Sequence, residues 1–361
     1  MFLALFRRLL GVGSVSSSRA DKPVGDDISI VRPPLLSLRE PDEPIREFMK
    51  ILEPNGFLLT ESGKISSADV PPRSPRHPEF TILSLEDVEI LRTIGKGSSS
   101  RVSLVLHKPS GKPLCLKIVP VGDPDLQNQL LRELSVHASM HCPFWVSFQG
   151  AFYDGQGAAY LALDYMDSGS LKDAMGHCKP LPECAVKVIT LHCLKGLKAL
   201  HEAGWIHRDI KPSNILLSRE RARAMLTDFG LAQRTGGGSK MLGDQAGTLW
   251  YLSPEALHGR AYGFETDVWS LGITVLESVL GRNPMSDCET HFEVLDRTST
   301  VCSDLHQINN SDELVDFLGG CLEPDPERRV NLAQLLEHRW VSLSASDQAT
   351  FEIWLSNRSN G

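Results

Sequence analysis

Residues 207–217 read HRDIKPSNILL, a run of charged and polar side chains followed by an apolar segment. Asp209, Lys211 and Asn214 lie in this short stretch, so it holds an acid, a base and an amide. The later stretch LTDFG places another carboxylate, that of Asp228, fourteen residues after Asn214. This order and spacing are too specific to be accidental, and they decide how the flanking segments are interpreted.

Further motifs stand on both sides of this stretch in a fixed order. GKGSSSRV (95–102) precedes it, and SPE (253–255) and DVWSLG (267–272) follow it. With these landmarks, residues 86–341 resemble a protein kinase domain. The resemblance implies an α+β fold, the bilobal protein kinase fold. It has a small antiparallel β-sheet lobe with the αC helix of kinases, and a larger, mainly helical lobe.

The resemblance also divides the chain. We expect a small lobe at 86–163, a hinge at 164–166 and a large lobe at 167–341. Residues 1–85 are predicted to be a flexible, proline-rich extension, because stretches such as RPPLL and PPRSPRHP bury too little apolar surface to offset the entropy of ordering. Residues 342–361 are expected to form a C-terminal tail.

Two stretches of the N-terminal extension differ from the rest. PIREFMKILEPNGFLLTESG (44–63) predicts a helix that packs on the folded domain through one apolar face, made by Ile45, Phe48, Met49 and Ile51. MFLALFRRLLGVGSVSSSRA (1–20) is rich in Arg and Ser and lacks acids, as in an organellar transit peptide. A membrane-touching helix, a docking peptide that uses Arg7 and Arg8, and a plain tail remain alternatives. We expect a cytoplasmic protein, with organellar targeting left open.

Composition excludes several classes of protein. A net charge of -8 gives no broad basic surface, so no nucleic-acid partner is expected. The 8 cysteines are scattered without a Cys-x-x-Cys pair, which favours reduced thiols over disulfides or a zinc site. No apolar run reaches the roughly 20 residues of a transmembrane helix.

The kinase resemblance gives each polar residue of the 207–217 stretch a role in transferring a γ-phosphoryl group. Asp209 is expected to orient the substrate hydroxyl and accept its proton, and Lys211 to neutralise the transferring phosphate. Asn214 and Asp228 are the expected ligands of Mg²⁺. The expected cofactors are therefore ATP and Mg²⁺.

Lys117 lies on the last of three predicted strands, at 90–94, 102–106 and 114–119. A lysine in an apolar strand is costly to bury unless its ammonium meets negative charge. The helical stretch LQNQLLRELSVHASM (126–140) supplies a partner, Glu133. A Lys117–Glu133 pair that also holds the α- and β-phosphates explains both residues.

The remaining ATP contacts are assigned from the position of each residue in the resemblance. Gly95 and Gly97 lie in the first strand turn, which predicts a loop that covers phosphates. Cys115 is expected to line the roof of the adenine pocket, and Leu163 to gate the space behind it. The full predicted set is Ile94, Gly95, Lys96, Gly97, Ser98, Ser99, Ser100, Arg101, Val102, Cys115, Lys117, Leu163, Asp164 and Met166.

Within the kinases, the chain is similar to the MAP kinase kinases. The similar stretches are YMDSGSLKD, LLRELSVH, FQGAFYDG and GTLWYLSPEAL. The resemblance implies a dual-specificity kinase that phosphorylates Thr and Tyr of a MAP kinase and is activated by an upstream MAP kinase kinase kinase. FEIWLSN (351–357) resembles a segment that recruits the upstream kinase. A Ser/Thr-only kinase of an upstream tier, or a pseudokinase scaffold, remains an alternative.

The segment GGGSKMLGDQAGT (236–248) is the expected activation loop. The family usually has a phosphorylatable hydroxyl three residues before the glycine of its Gly-Thr pair, where this chain has Asp244. Asp244 is predicted to supply a permanent charge that partly replaces phosphorylation, with tuning through Ser239 or Thr235. A solvated loop residue without a role is the alternative.

Two further side chains stand out in the comparison with kinases. His137, one turn after Glu133, replaces the apolar residue that normally stacks against Phe148, Phe229 and His207. Arg329 is expected to form a structural ion pair with Glu255.

Overall fold

The computed structural model describes the residues 49–50, 52–59, 63–67, 85–96, 100–176, 179–235, 248–302, 305, 308 and 310–358. A lobe built on an antiparallel sheet is followed by a lobe built mainly of helices. The predicted α+β kinase fold is therefore confirmed.

The sheet of the small lobe has seven strands: β1 (Phe57–Leu59), β2 (Lys64–Ser67), β3 (Val88–Lys96), β4 (Arg101–His107), β5 (Lys112–Pro120), β6 (Phe148–Tyr153) and β7 (Ala158–Asp164). Neighbours pair antiparallel in the order β1-β2-β6-β7-β5-β4-β3. Strands β3, β4 and β5 confirm the three strands predicted from the sequence. The pairing of β5 with β7 places Lys117 opposite Leu161 in the middle of the sheet.

One long helix, α1 (Pro124–Ser139), follows β5. Asp123 caps its start by accepting a hydrogen bond from the backbone NH of Asp125, and Pro124 occupies the first turn, where no NH donor is needed. The helix packs on the sheet through leucines that belong to one buried apolar cluster with strand residues such as Val119 and Leu161.

The large lobe contains the helices α2 (Leu171–Met175), α3 (Glu183–Glu202), α4 (Pro254–Leu257), α5 (Glu265–Leu280), α6 (His291–Thr300), α7 (Asp312–Cys321), α8 (Leu332–Leu336) and α9 (Ala345–Ser356). It also has two small antiparallel pairs, β9 (Ile215–Ser218) with β10 (Arg223–Leu226) and β8 (Trp205–Ile206) with β11 (Gln233–Arg234). Helices α3 and α5 contribute more buried apolar residues to the core than any other helix of this lobe, and Trp269 and Leu194 are fully buried.

Part of the N-terminal extension that was predicted to be flexible is ordered. Strands β1 and β2 belong to the stretch predicted to be flexible, yet β2 pairs with β6 at the edge of the sheet. They order because alternation along them buries Phe57 and Ile65 while Leu58 stays 50% exposed. Of the predicted helix at 44–63, Met49, Lys50 and Leu52 are helical, whereas Ile45, Phe48 and Ile51 lie outside the described residues.

The predicted C-terminal tail contains helix α9. Phe351 and Leu355, one turn apart, are buried in the core of the large lobe. Ser344 and Asp347 form a capping box at its start. Only part of FEIWLSN remains accessible to a partner, since Ile353 is 61% exposed and Trp354 is half-buried.

Candidate active site

An ion-pair network joins the sheet, helix α1 and the start of the activation segment. The ammonium of Lys117 lies 2.7 Å from Oε2 of Glu133 and 2.9 Å from Oδ1 of Asp228. Burial lowers the pKa of Lys117, but the two carboxylates outweigh burial and hold this pKa above its usual value. Lys117 is therefore charged, and the predicted partner Glu133 does lie beside it.

Asp228, the partly exposed member of this network, keeps its charge. Burial raises its pKa, but the charge of Lys117 and the hydrogen bond from Lys117 together hold this pKa below the ordinary value. The side chain is 45% exposed, and the backbone has a φ of 64°. Such a left-handed conformation is unusual for a residue with a side chain and is common at functional sites.

A second network organises the loop that contains Asp209. The side-chain amide of Asn214 donates to the backbone carbonyl of Asp209 at 2.9 Å and to its Oδ2 at 2.8 Å. Lys211 Nζ contacts the carboxylate at 2.7 Å and donates to the hydroxyl of Thr248 at 2.7 Å. Asp209 and Asn214 are both about nine-tenths or more buried, so these bonds hold the carboxylate in one orientation.

The strands β9 and β10 bring the two networks together. Asn214 immediately precedes β9, and Asp228 is the second residue after the end of β10. Because Ile215 pairs with Leu226, the two side chains start from the same end of this antiparallel pair. A hydrogen bond from the backbone NH of Thr227 to the carbonyl of Asn214 extends the pairing by one step at 3.1 Å.

Asp267, at the start of α5, fixes the backbone of the loop. Its Oδ2 accepts from the NH of His207 and its Oδ1 from the NH of Arg208, both at 2.8 Å. His201 contacts the same carboxylate at 2.8 Å. Burial raises the pKa of Asp267, but His201 and the backbone donors hold it below its usual value. Arg208 consequently keeps a φ of 70°.

The residues predicted to surround adenine form one apolar cluster between sheet and large lobe. Cys115, Leu163 and Met166 are buried in it, with Val102 packed against them. Burial, and to a smaller extent the charge of Asp164, raise the pKa of Cys115 to about 12. The cluster also contains Val146, Met225 and Leu216, which sequence reasoning missed. The sequence could have indicated Leu216, because this residue follows Asn214 by only two positions.

The loop predicted to cover phosphates lies only partly within the described residues. Ile94 and Gly95 lie near the end of β3. Arg101 is the first residue of β4 and pairs with Lys96 of β3. Gly97, Ser98 and Ser99 lie outside the described residues, and Ser100 is half-buried.

Comparison with known proteins identifies the fold and its family. Residues 88–341 match the family model described as protein kinase domain. "Mitogen-activated protein kinase kinase 2" of Arabidopsis thaliana is 36% identical over 278 residues, which cover 74% of this chain and 76% of the relative. The chain belongs to the MAP kinase kinase family of protein kinases.

Two further MAP kinase kinases extend the comparison. "Mitogen-activated protein kinase kinase SIPKK" of Nicotiana tabacum is 32% identical over 325 residues, covering 85% of this chain and 90% of the relative. "Dual specificity mitogen-activated protein kinase kinase 1" of Dictyostelium discoideum is 37% identical over 213 residues, or 58% of this chain and 32% of the relative.

Asp164 has a role in this kinase that its sequence position did not reveal. Its carboxylate accepts a hydrogen bond from Gln149 at 2.6 Å and pairs with Arg221 in the turn between β9 and β10. Its side chain is therefore engaged with the protein, and only its backbone remains to meet adenine.

The predicted regulatory residues of this MAP kinase kinase fall mostly outside the described part of the chain. Ser239 and Asp244 are not among the described residues. Thr235 is exposed, and its hydroxyl donates to the carbonyl of Gly204 at 3.0 Å. Arg208 donates to Oε1 of Gln233 at 2.8 Å, so the arginine is directed towards the strand that leads into the loop.

A continuous stack of rings crosses the kinase behind Asp228. His137 stacks on Phe148 at a centroid distance of 5.1 Å and meets Phe229 edge-on at 5.3 Å. Phe229 in turn lies 5.2 Å from His207. His137 therefore contacts two of the three rings expected around it, Phe148 and Phe229, while His207 joins the stack through Phe229.

The described residues give two further negative findings. No described helix has the length and apolar character needed to cross a membrane. Among the same residues, no group of three or more His, Cys, Asp or Glu side chains is arranged to hold a metal ion.

Proposed function

We propose that this MAP kinase kinase is an ATP- and Mg²⁺-dependent, dual-specificity kinase that phosphorylates Thr and Tyr in the activation loop of a MAP kinase. The observation that carries the proposal is the position of Lys117, whose ammonium contacts both Glu133 and Asp228. A kinase needs this cation beside its metal-binding acid to balance phosphate charge. A scaffold has no such need.

Asn214 and Asp228 fit a magnesium site that is shared with phosphate oxygens. Mg²⁺ is usually held by one or two protein oxygens together with phosphates and water. Asp228 is ionised and 45% exposed, so its carboxylate can reach a ligand in the cleft. When bound, the ion would neutralise part of the charge on the phosphates. Lys117 adds a fixed positive charge beside the same carboxylate.

Asp209 is the proposed acceptor of the substrate proton. Asn214 donates to its carboxylate at 2.8 Å and Lys211 contacts it at 2.7 Å, so it does not have to reorganise when a hydroxyl arrives. Lys211 also bonds Thr248, and this fixes its ammonium beside Asp209, where the transferring phosphate gains negative charge. Orienting the hydroxyl and neutralising charge are the two tasks left to the protein.

Dual specificity is supported by family membership and by the name of one relative. The Dictyostelium discoideum relative is named a dual specificity kinase. The loop HRDIKPSN carries Lys211, as in kinases that accept Ser or Thr, whereas kinases restricted to Tyr typically have HRDLAARN. We therefore propose a MAP kinase as the substrate and a MAP kinase kinase kinase as the activator.

We propose that the enzyme acts in the cytoplasm, with residues 1–20 as a targeting or docking segment. Deleting residues 1–20 separates these two roles. A docking role predicts a raised KM for the MAP kinase and unchanged location. A targeting role predicts changed location with the same KM in vitro.

The function is tested with bacterially expressed, phosphatase-treated protein and a purified MAP kinase whose own activity is disabled. Wild type, Asp209→Asn and Asp228→Asn are compared with Mg·ATP and with EDTA. The proposal predicts phosphate transfer only in wild type with Mg·ATP, with each variant lowered by about 10²-fold or more. Activity in EDTA, or equal activity in Asp209→Asn, contradicts it.

A further inference from the structure

The N-terminal hairpin formed by β1 and β2 is fastened to the kinase sheet by its backbone. Strand β2 pairs with β6, with Ile65 opposite Ala151. The backbone NH of Tyr153 donates to the carbonyl of Gly63 at 2.7 Å. Gly63 has a φ of +82°, and a Cβ there would collide with the carbonyl oxygen of Tyr153. The glycine therefore allows the close approach that joins the hairpin to the sheet.

The apolar side chains of this hairpin, with Leu52 before it, share one buried cluster with helix α1. Leu52, Phe57 and Ile65 are at most 5% exposed. They belong to the same buried apolar cluster as four leucines of α1: Leu126, Leu130, Leu131 and Leu134. Removing apolar side chains from such a cluster leaves cavities that the surroundings fill only in part. The hairpin thus forms part of the packing that fixes the helix.

Glu133 lies among these helix contacts. Leu130 precedes it by three residues, about one turn, and Leu134 follows it directly, so packing at both positions sets the rotation and height of the Glu133 side chain. Oε2 of Glu133 lies 2.7 Å from the ammonium of Lys117. A small movement of α1 would lengthen this contact, since one helix residue occupies only about 1.5 Å of the axis.

Helix α1 is also held through the imidazole of one of its own residues. His137, one turn after Glu133, packs between Phe148 and Phe229. An imidazole gains less from leaving water than an aliphatic side chain of similar size. The apolar packing of α1 therefore comes from the cluster that it shares with the sheet and the hairpin, and from Val136, which is buried in the core of the large lobe.

We propose that Phe57 and Ile65 are positioning residues for catalysis, which act through helix α1 to keep Glu133 against Lys117. The inference rests on the proposed function of the Lys117–Glu133 pair. It makes the hairpin at residues 57–67 part of the catalytic unit although it precedes the matched kinase domain, which begins at residue 88.

The first part of the test compares kinetics of full-length variants. Phe57→Ala and Ile65→Ala are expected to raise KM for ATP and lower kcat, together by about tenfold or more in kcat/KM, because a misplacement of about 1 Å in a positioned group can cost about 10²-fold. KM for the MAP kinase is expected to stay unchanged. Leu58→Ala is the matched control, since Leu58 lies on the same strand and is 50% exposed. It is expected to retain wild-type kinetics.

The second part asks whether the effect passes through Glu133. In a Glu133→Gln background, adding Phe57→Ala is expected to change kcat/KM for ATP by less than about twofold, because coupled residues are non-additive. Its effect on the melting temperature is expected to persist there. Phe57→Leu, which keeps an apolar side chain, serves if Phe57→Ala fails to fold. If the separate losses in kcat/KM from Phe57→Ala and Glu133→Gln multiply in the double variant, Phe57 acts through general stability and the proposal is overturned.

The two levels of the proposal fail differently. Full ATP-dependent activity in Glu133→Gln overturns the function proposed for the pair, and the inference with it. Loss of activity in Glu133→Gln, with wild-type kinetics in Phe57→Ala and Ile65→Ala, overturns the role of the hairpin alone.

Discussion

The guanidinium of Arg329 holds the carboxylate of Glu255 through two hydrogen bonds of 2.7 and 2.9 Å, across 74 residues of sequence. The pair ties α4, just after the activation segment, to the loop that follows α7. Both side chains are at most 3% exposed, and Arg329 also lies over the ring of Trp269. This relationship confirms the predicted ion pair.

Breaking this pair is expected to destabilise the large lobe strongly. Arg329→Met leaves Glu255 as a buried carboxylate without its main partner, which typically costs about 3–5 kcal/mol. Arg328→Met is the control, because Arg328 is 73% exposed and lies 3.8 Å from Glu323. It is expected to cost less than about 1 kcal/mol. Urea denaturation of both variants measures the difference, and equal midpoints would contradict the structural role.

Lys117→Met is expected to abolish phosphate transfer while the protein remains folded. The variant removes the cation shared by Glu133 and Asp228, a loss we expect to cost about 10²-fold or more in activity. Lys198→Met is the control, since Lys198 is 57% exposed on the surface of α3. Steady-state assays and melting curves are measured together. Wild-type activity in Lys117→Met, or unfolding of that variant, would contradict the assignment.

His192 is expected to make the kinase less stable in mild acid. Burial, with smaller effects from Lys195 and Arg223, lowers the pKa of His192 from 6.5 to about 4. The folded state therefore keeps the ring neutral while the unfolded state binds a proton. The stability that results is present above pH 6.5 and is lost as the pH falls towards 4, by about 2 kcal/mol between pH 7 and pH 5.

The comparison variant for this effect is His192→Gln. Glutamine can still accept the hydrogen bond that the backbone NH of Ala224 donates to Nδ1 of His192 at 3.3 Å, but it does not titrate. His141→Gln is the control at an exposed position. The difference between the urea midpoints at pH 7 and pH 5 should be smaller in His192→Gln than in wild type. An unchanged pH dependence in that variant would refute the assignment.

Asp244 is expected to sustain basal activity without an upstream kinase. Its charge is about -1, against about -1.5 to -2 for a phosphoserine. Asp244→Ala should lower the basal rate severalfold, Asp244→Glu should retain it, and Asp244→Ser should make activity depend on upstream phosphorylation. Phosphate transfer by phosphatase-treated proteins measures this. Equal rates in wild type and Asp244→Ala would assign Asp244 no role.

Much of the fold and site was predictable because the residues concerned are close in sequence or belong to strong patterns. Strands β4 and β5 are largely apolar runs joined by the turn KPSGK, and Asp209, Lys211 and Asn214 lie in one loop. Lys117 required a partner on chemical grounds alone, and Glu133 proved to be that partner.

The unpredicted features depend on contacts between distant segments. Arg221 pairs with Asp164 across 57 residues, and neither position carries a local signal for this contact. The hairpin at 57–67 was hidden by its proline-rich surroundings, and its order comes from a sheet edge and a helix supplied by later residues. Phe351 was assigned to a docking segment, whereas its spacing from Leu355 fits a helix face buried against the core.

The central claim, that this MAP kinase kinase is an active dual-specificity enzyme, is tested most directly by mass spectrometry of its product. A disabled MAP kinase is incubated with Mg·ATP and either wild type or Asp209→Asn, and the peptide containing its Thr-x-Tyr sequence is analysed. Wild type is expected to yield a doubly phosphorylated peptide, and Asp209→Asn an unmodified peptide. Phosphate on Thr alone would contradict dual specificity, and an unmodified peptide in both reactions would contradict activity on this substrate.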